Sequence, residues 1–273
     1  MASLTTWQDT TREEGAGISA FHIHDRCELL YICEGQVEIC IGDAVYTLLT
    51  RQLAIISPLE VHSVTPLKRP YTRIGLHIDS KSLSRLGIPP WLSSALIHRQ
   101  TWPFHRVDLT EQPEVIRLLC DLHEENGADR PAREDMLGVL LHTLLLRLYR
   151  LQPQSFRHTA GDTRMEEARL YIETHFADSF SIEELARRYY LSPSHFIARF
   201  GEYTGYTPQK YRKLCRMAHA RYLLTEGDRS LSAIAESCGF SDLNSFVRSF
   251  RETMQITPGQ YRELARGKKE PEL

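Results

Sequence analysis

The feature that most constrains this chain is an internal duplication in its C-terminal third. SIEELARRYYLSPSHFIARFGEYTGYTPQKYR (Ser181–Arg212) returns as SLSAIAESCGFSDLNSFVRSFRETMQITPGQYR (Ser230–Arg262). The offset is 49 residues at Leu191/Phe240 and 50 at Phe196/Phe246, so the second copy carries one extra residue at its turn. A solenoid needs at least about three repeats to cover its own core. A pair is a duplicated supersecondary unit.

Each copy reads as two short helices around a tight turn. Ser181 is the expected N-cap of the first, with Glu184 completing a capping box. Ile182, Leu185 and Ala186 share one face, and the pattern breaks at Tyr189-Tyr190-Leu191. Ser192 and Pro193 then start a second helix, Ser at N-cap and Pro at the first helical position. Phe196 and Phe200, spaced i and i+4, anchor it. In the second copy Ser230 caps, Leu231, Ile234 and Ala235 pack, Gly239 makes the turn, and Ser241 is expected to cap the helix of Phe246 and Phe250. This is the helix-turn-helix pattern. From Pro208 to Leu224 a helix of about 17 residues, roughly 25 Å, joins the units. Two readers on such a strut suit successive major grooves, about 34 Å apart. Ahead of them, Met165–Phe176 places Ala168, Leu170, Tyr171 and Ile172 near one side of a further helix.

Residues 18–78 have a different rhythm. ELLYICEG, QVEICIG, AVYTLL, QLAIIS and TRIGLHI are short β-rich runs, and Val37, Ile39 and Ile41 alternate with Glu38 and Cys40 as in a half-buried strand. Five or more such strands predict an antiparallel barrel or sandwich. Within them stands His22-x-His24-x₃-Glu28-x₆-Gly35, and later Pro58-x₃-His62. His22 and His24, two apart on a strand, would face the same side. With Glu28 and His62 they form a three-His, one-carboxylate set of the kind that holds a divalent metal. This arrangement resembles the two motifs of the cupin barrel, from which Arg51 and Glu60 depart. The expectation is therefore no metal and no other cofactor, but a pocket in which His22, His24, Glu28, Tyr31 and His62 contact a small molecule. Tyr31, Tyr46, Trp91 and Trp102 would suit stacking on sugars.

From Leu83 to Phe104 the chain reads as irregular. Glu111–Glu125 is then a helix with Val115, Leu118, Leu119 and Leu122 on one face. Arg133–Leu151 is another, whose Met136, Leu137, Leu140, Leu141, Leu144, Leu145, Leu148 and Leu151 exceed one narrow stripe. So much apolar girth predicts a second covering surface, that of a homodimer. Residues 152–163, polar with Pro and Gly, read as a linker.

Charge adds little. Residues 1–163 hold 16 Lys+Arg against 20 Asp+Glu and residues 164–273 hold 17 against 15, so the C-terminal part is only mildly basic. The six cysteines show neither a Cys-x-x-Cys pair nor zinc spacing. With no apolar run of membrane length, the expectation is a soluble cytoplasmic protein that does not engage membranes.

LSPSHF, YTGYTPQKYR, ARYLL, IAESCGFSD, the Phe-x₃-Phe pairs and ITPGQYR resemble the AraC/XylS family of bacterial transcription regulators over about 100 residues. With a cupin-like N-terminal domain the likeness takes in nearly the whole chain. It implies an α+β protein: an antiparallel cupin-like sensor barrel (1–110), a helical dimerisation hairpin (111–151), the linker, and an all-α domain with two helix-turn-helix units (164–267). It further implies a regulator, an activator by family habit, with double-stranded DNA, a small-molecule effector and RNA polymerase as partners. The second helix of each unit would read bases: Asn244, Ser245 and Arg248 in the second copy, Ser194, Ile197 and Ala198 in the first. His195, Arg199, Arg212, Arg216 and Arg262 would meet the DNA backbone. Asn and Arg suit adenine and guanine edges, whereas Ile197 and Ala198 offer only apolar contact. The competing readings are a constitutive regulator with a purely structural barrel and a metal-dependent cupin enzyme. A duplicated helix-turn-helix is of no use to the second, so no enzymatic activity is expected.

Overall fold

The computed structural model describes residues 4–11, 20–97, 105–151 and 163–267. The expected linker, apart from Thr163, and Trp102 lie outside these. The chain divides into two compact units. The first comprises Met1–Ile18, Arg26–Pro58 and Val64–Gly161; the second comprises Ser19–Asp25, Leu59–Ser63 and Asp162–Leu273. Two short pieces of N-terminal sequence thus belong with the C-terminal helices.

In the first unit, β1 (Leu4–Thr11), β2 (Cys27–Ile41), β3 (Ala44–Leu49), β4 (Gln52–Ile56), β5 (His62–Ile78) and β6 (Arg106–Asp108) make one curled sheet, a half-barrel. Its order is β1-β5-β2-β4-β6, with β3 on β2. β1 and β5, β2 and β3, β2 and β4, and β4 and β6 pair antiparallel, for example Glu28 opposite Ile56 and Leu4 opposite Ile78. The two runs read as separate strands on either side of Gly35 are one strand, β2. Its side chains change sides at Gly35: Leu30 and Ile32 before it share a buried cluster with Val37, Ile39 and Ile41 after it. A strand has period two, so this continuity needs a one-residue break in alternation. Gly35 supplies it at φ 95°, with the carbonyl oxygen of Pro70 only 2.5 Å from where a Cβ would stand.

The opposite face of β2, carrying Cys27, Leu29 and Tyr31, packs with α3 (Pro113–Gly127) and α4 (Arg133–Leu151) into a second apolar cluster. Leu137, Leu141, Leu144, Leu145 and Leu148 are buried there, while Met136 and Val139 stay exposed. Most of the apolar girth of α4 is therefore covered within the chain itself. The segment read as irregular contains two short helices, α1 (Ser80–Arg85) and α2 (Pro90–Ile97). Asp79 caps α1 by accepting from the Ser82 amide at 2.7 Å, a signal hidden among the Pro and Gly of the segment.

The second unit is helical: α5 (Thr163–Thr174), α6 (Ile182–Arg188), α7 (Pro193–Thr204), α8 (Pro208–Thr225), α9 (Leu231–Ser237), α10 (Leu243–Met254) and α11 (Pro258–Gly267). Its centre is α8, 18 residues or about 27 Å long. Tyr211, Leu214, Met217, Ala220 and Leu224 of α8 share one cluster with the fully buried Phe196, Phe200, Phe246 and Phe250. Ile23 and Leu59, from the two N-terminal pieces, complete it. Leu170, expected on the inner side of α5, is 40% exposed, since the buried stripe there is Met165, Ala168, Arg169 and Ile172. Arg169 is buried because it is paired: its guanidinium donates to Glu166 at 2.7 Å and to Glu173 at 2.5 Å. Tyr203 of α7 and Tyr211 of α8 donate to the same two carboxylates. The network ties α5 to both neighbours. Breaking such a buried pair costs about 3–5 kcal/mol.

Candidate nucleic-acid interface

Capping sets the start of every helix in the duplicated units. Ser181 Oγ accepts the Glu184 amide at 3.0 Å while Glu184 accepts the Ser181 amide at 2.8 Å, closing the capping box of α6. These bonds hold the Glu184 carboxyl below its usual range. Ser192 Oγ accepts the His195 amide at the start of α7, and Ser230 Oγ accepts the Ala233 amide at the start of α9. The fourth cap departs from expectation. Asp242, not Ser241, caps α10, accepting the Ser245 amide at 2.8 Å and the Ser245 hydroxyl at 2.8 Å. The extra residue of the second copy falls at Ser241, before the cap, so Ser192 corresponds to Asp242. A carboxylate also suits the positive end of a helix dipole.

The exposed faces of the two candidate reading helices differ. On α10, Asn244, Arg248 and Arg251 are exposed at i, i+4 and i+7, opposite the buried Phe246 and Phe250. Arg251 was missed in the sequence, although its spacing from Asn244 was legible. The acidic neighbour Glu252 is paired with Lys213 of α8 at 2.7 Å, which offsets its charge beside Arg248. Ser245 has its hydroxyl proton committed to Asp242, so it can face a ligand only as an acceptor. On α7, Ser194, His195, Ile197 and Ala198 are exposed, Arg199 is half-buried, and Glu202 follows Ala198 one turn on. That face offers apolar surface and a carboxylate where α10 offers an amide and two guanidinium groups.

Three of the expected backbone cations have structural work. Arg212 of α8 donates to the carbonyls of Phe176 and Phe180, at 3.0 and 3.4 Å, and to that of Asp178. Arg216 donates to Phe176 at 2.8 Å. Burial lowers the pKa of both guanidinium groups. Each lies over an aromatic ring, Arg212 on Phe180 at 4.3 Å and Arg216 on Phe240 at 5.2 Å. The second turn meets the same loop: Gly239, at φ 75°, leaves the Ala177 Cα only 2.7 Å from where a Cβ would stand. Loop 176–180 is thus clamped between α8 and the turn of the second unit. Arg262 similarly donates to the Arg229 carbonyl at 2.6 Å.

Of the residues expected to line a small-molecule pocket, Tyr31 stands apart from Glu28. Glu28 and Tyr31 are an odd number of residues apart on β2, and Tyr31 sits in the cluster under α3 and α4. There burial, with Cys33 and Cys120 nearby, pushes its hydroxyl up to about 12. Glu28 is buried in the first unit, its carboxylate 3.4 Å from His77. His22, His24 and His62 lie in the second unit, His62 as the first residue of β5 and the other two outside the named strands. Their segments meet in an isolated antiparallel bridge between His22 and His62. Their donor atoms lie within 4.8 Å of one another, close enough to share a metal ion.

The clamp generates a stability prediction. Arg216→Ala and Gly239→Ala should each lower the unfolding free energy of the C-terminal unit by about 1–3 kcal/mol. Arg248→Ala, and Gly227→Ala at a position open to solvent, should stay within about 0.5 kcal/mol of the parent. Urea titrations followed by circular dichroism give the comparison.

Comparison with known proteins places these two units. Residues 11–145 match the family model described as AraC-like ligand binding domain, and residues 185–264 match the model described as helix-turn-helix domain. The transcriptional activator RhaR of Salmonella dublin is 24% identical over 253 residues, covering 91% of this chain and 88% of the relative. The regulatory protein PocR of Salmonella typhimurium is 36% identical over 163 residues, covering 55% of this chain and 54% of the relative. RhaS of Klebsiella pneumoniae is 31% identical, with 59% and 58% covered. The matched stretch thus spans about half the length of PocR and RhaS. Among solved structures, ToxT of Vibrio cholerae superposes with a TM-score of 0.69 at 13% identity, covering 96% of this chain and 98% of that one, a likeness of fold. An AraC-like ligand binding domain followed by a duplicated helix-turn-helix domain makes this chain a member of the AraC/XylS family of transcription regulators.

Proposed function

We propose that the protein is a sequence-specific DNA-binding transcription regulator, an activator that answers to a small molecule held by its N-terminal half-barrel. The observation that carries this reading is α10. It is a capped helix with two fully buried phenylalanines on one side and Asn244, Arg248 and Arg251 exposed on the other. Arg is the commonest bidentate partner of guanine and Asn of adenine in the major groove, each pair discriminating by about 1–3 kcal/mol. No described helix is long and apolar enough to cross a membrane. The reading takes double-stranded DNA as the ligand, the cytoplasm as the place and RNA polymerase as the partner of an activator. Nothing in this reading asks for enzymatic chemistry.

The first helix-turn-helix plays a different part. Ser194, Ile197 and Ala198 fit apolar contact with thymine methyl groups and close approach to the backbone, with His195 and Arg199 at phosphates. In mobility-shift titrations on a DNA site selected with the parent protein, Arg248→Ala and Asn244→Ala should each weaken specific binding by about tenfold or more. Ile197→Ala should change it by only a few-fold. The reverse order would overturn the assignment of the second helix-turn-helix as the main reader.

A homodimer through α3 and α4 completes the proposal. Met136, 48% exposed, and Val139, 62% exposed, leave an apolar strip on α4 that a second copy would cover. Light scattering should give twice the chain mass at micromolar concentration, with Val139→Glu shifting it to one. A monomer in the parent protein would contradict the dimer.

A further inference from the structure

Three histidines stand together on pieces of chain that serve no part of the DNA-reading proposal. His22 and His24 lie on the segment Ser19–Asp25, and His62 on Leu59–Ser63, both within the second unit. The ring centroids of His22 and His62 are 3.9 Å apart, those of His24 and His62 4.9 Å, and those of His22 and His24 6.0 Å. His62 is fully buried and His24 nearly so. Neutral imidazole is the form that ligates a metal.

Backbone carbonyls fix the tautomer of two of the three rings. His62 Nδ1 is 2.8 Å from the carbonyl oxygen of Glu60, and His22 Nδ1 is 3.2 Å from that of Ala20. A carbonyl oxygen only accepts, so each Nδ1 carries the proton and Nε2 carries the lone pair. Metal-bound histidines are commonly held in this way, with the second nitrogen donating to a carbonyl. The two segments are themselves pinned. His22 and His62 exchange backbone bonds at 2.8 and 2.9 Å, and the Leu59 amide donates to the His24 carbonyl at 2.8 Å. Ile23 and Leu59, between the histidines, are buried in the helical core.

We propose that His22, His24 and His62 form a site for a divalent first-row transition metal. Three imidazoles suit zinc, cobalt or nickel rather than calcium or magnesium. In a tetrahedral zinc site, metal–nitrogen bonds of about 2.0–2.1 Å place ligand nitrogens about 3.4 Å apart. Donors already within 4.8 Å need only small side-chain movements to close on an ion. The bound ion would staple Ser19–Asp25 to Leu59–Ser63 and hold Ile23 and Leu59 in the core of the DNA-binding unit. Occupancy would then stabilise that unit by mass action. The sequence motif supplies Glu28 as a fourth donor, which a separate variant examines.

The test uses untagged full-length protein dialysed against chelator and then titrated with zinc by calorimetry and with cobalt by visible absorption. One equivalent of zinc should bind, and cobalt should give a four-coordinate spectrum lacking the thiolate charge-transfer band that the cysteines would produce. His22→Gln, at the partly exposed member, should weaken zinc binding by about tenfold or more while leaving the metal-free thermal midpoint unchanged. His62→Gln should weaken zinc binding likewise, with circular dichroism showing that the variant remains folded. A Glu28→Gln variant that binds less tightly would count the carboxylate as a ligand, and one that binds as the parent does would leave a three-histidine site. Absence of zinc binding at micromolar concentration, or binding undiminished in both histidine variants, would overturn the proposal. So would a thiolate band with cobalt. Each readout is independent of DNA binding.

Discussion

The helical unit depends on α8 holding loop 176–180. Arg212 and Arg216 reach from the first half of α8 to carbonyls at Phe176, Asp178 and Phe180. The loop precedes the first helix-turn-helix, and Gly239, in the turn of the second, abuts it at Ala177. Phe176 and Phe180 are half-buried, and a carbonyl shielded from water and left unpaired costs up to about 1–3 kcal/mol. A guanidinium, with five donors in a fixed fork, meets several of them at once. The two reading helices are thus referenced to one strut and one loop. Their shared phenylalanine core makes each copy a rigid scaffold, and the clamp makes the pair one object.

That arrangement separates scaffold from reader. Buried positions repeat faithfully: Phe196 and Phe200 recur as Phe246 and Phe250, Leu185 and Ala186 as Ile234 and Ala235. Exposed positions do not. Where α10 shows Asn244, Arg248 and Arg251, α7 shows Ser194, Ala198 and Gly201, with Ile197 and Glu202 alongside. Packing constrains the first set, because removing a buried aromatic costs about 3–5 kcal/mol. Nothing in the fold constrains the second. Divergence there is free to follow the ligand.

Much of this was legible in the residues. The capping box at Ser181, the Ser192-Pro193 start, the Gly239 turn and the long helix between the units follow from local rules that tertiary structure did not override. The alternation of Val37, Ile39 and Ile41 was equally readable. Other features need three dimensions. That Arg212 and Arg216 turn inward depends on where loop 176–180 lies, which charge type and spacing do not report. Asp242 was passed over because the inserted Ser241 mimicked the cap of the first copy. Tyr31 and Glu28 were grouped by proximity in sequence, although an odd separation on one strand puts them on opposite faces. The assignment of residues 19–25 and 59–63 to the helical unit carries no local signal, since Ile23 and Leu59 look like any strand or turn residue.

The central claim is that two equivalent scaffolds carry unequal readers. Selection of binding sites from a random DNA pool by the full-length protein measures this most directly, because each position reports its own discrimination. The account expects a site with two segments about one helical turn apart. Strongly specified bases should be confined to one segment, and Arg248→Ala should erase that specification alone. Two segments of equal stringency, or loss of specification mainly on changing Ile197 and Ala198, would contradict it.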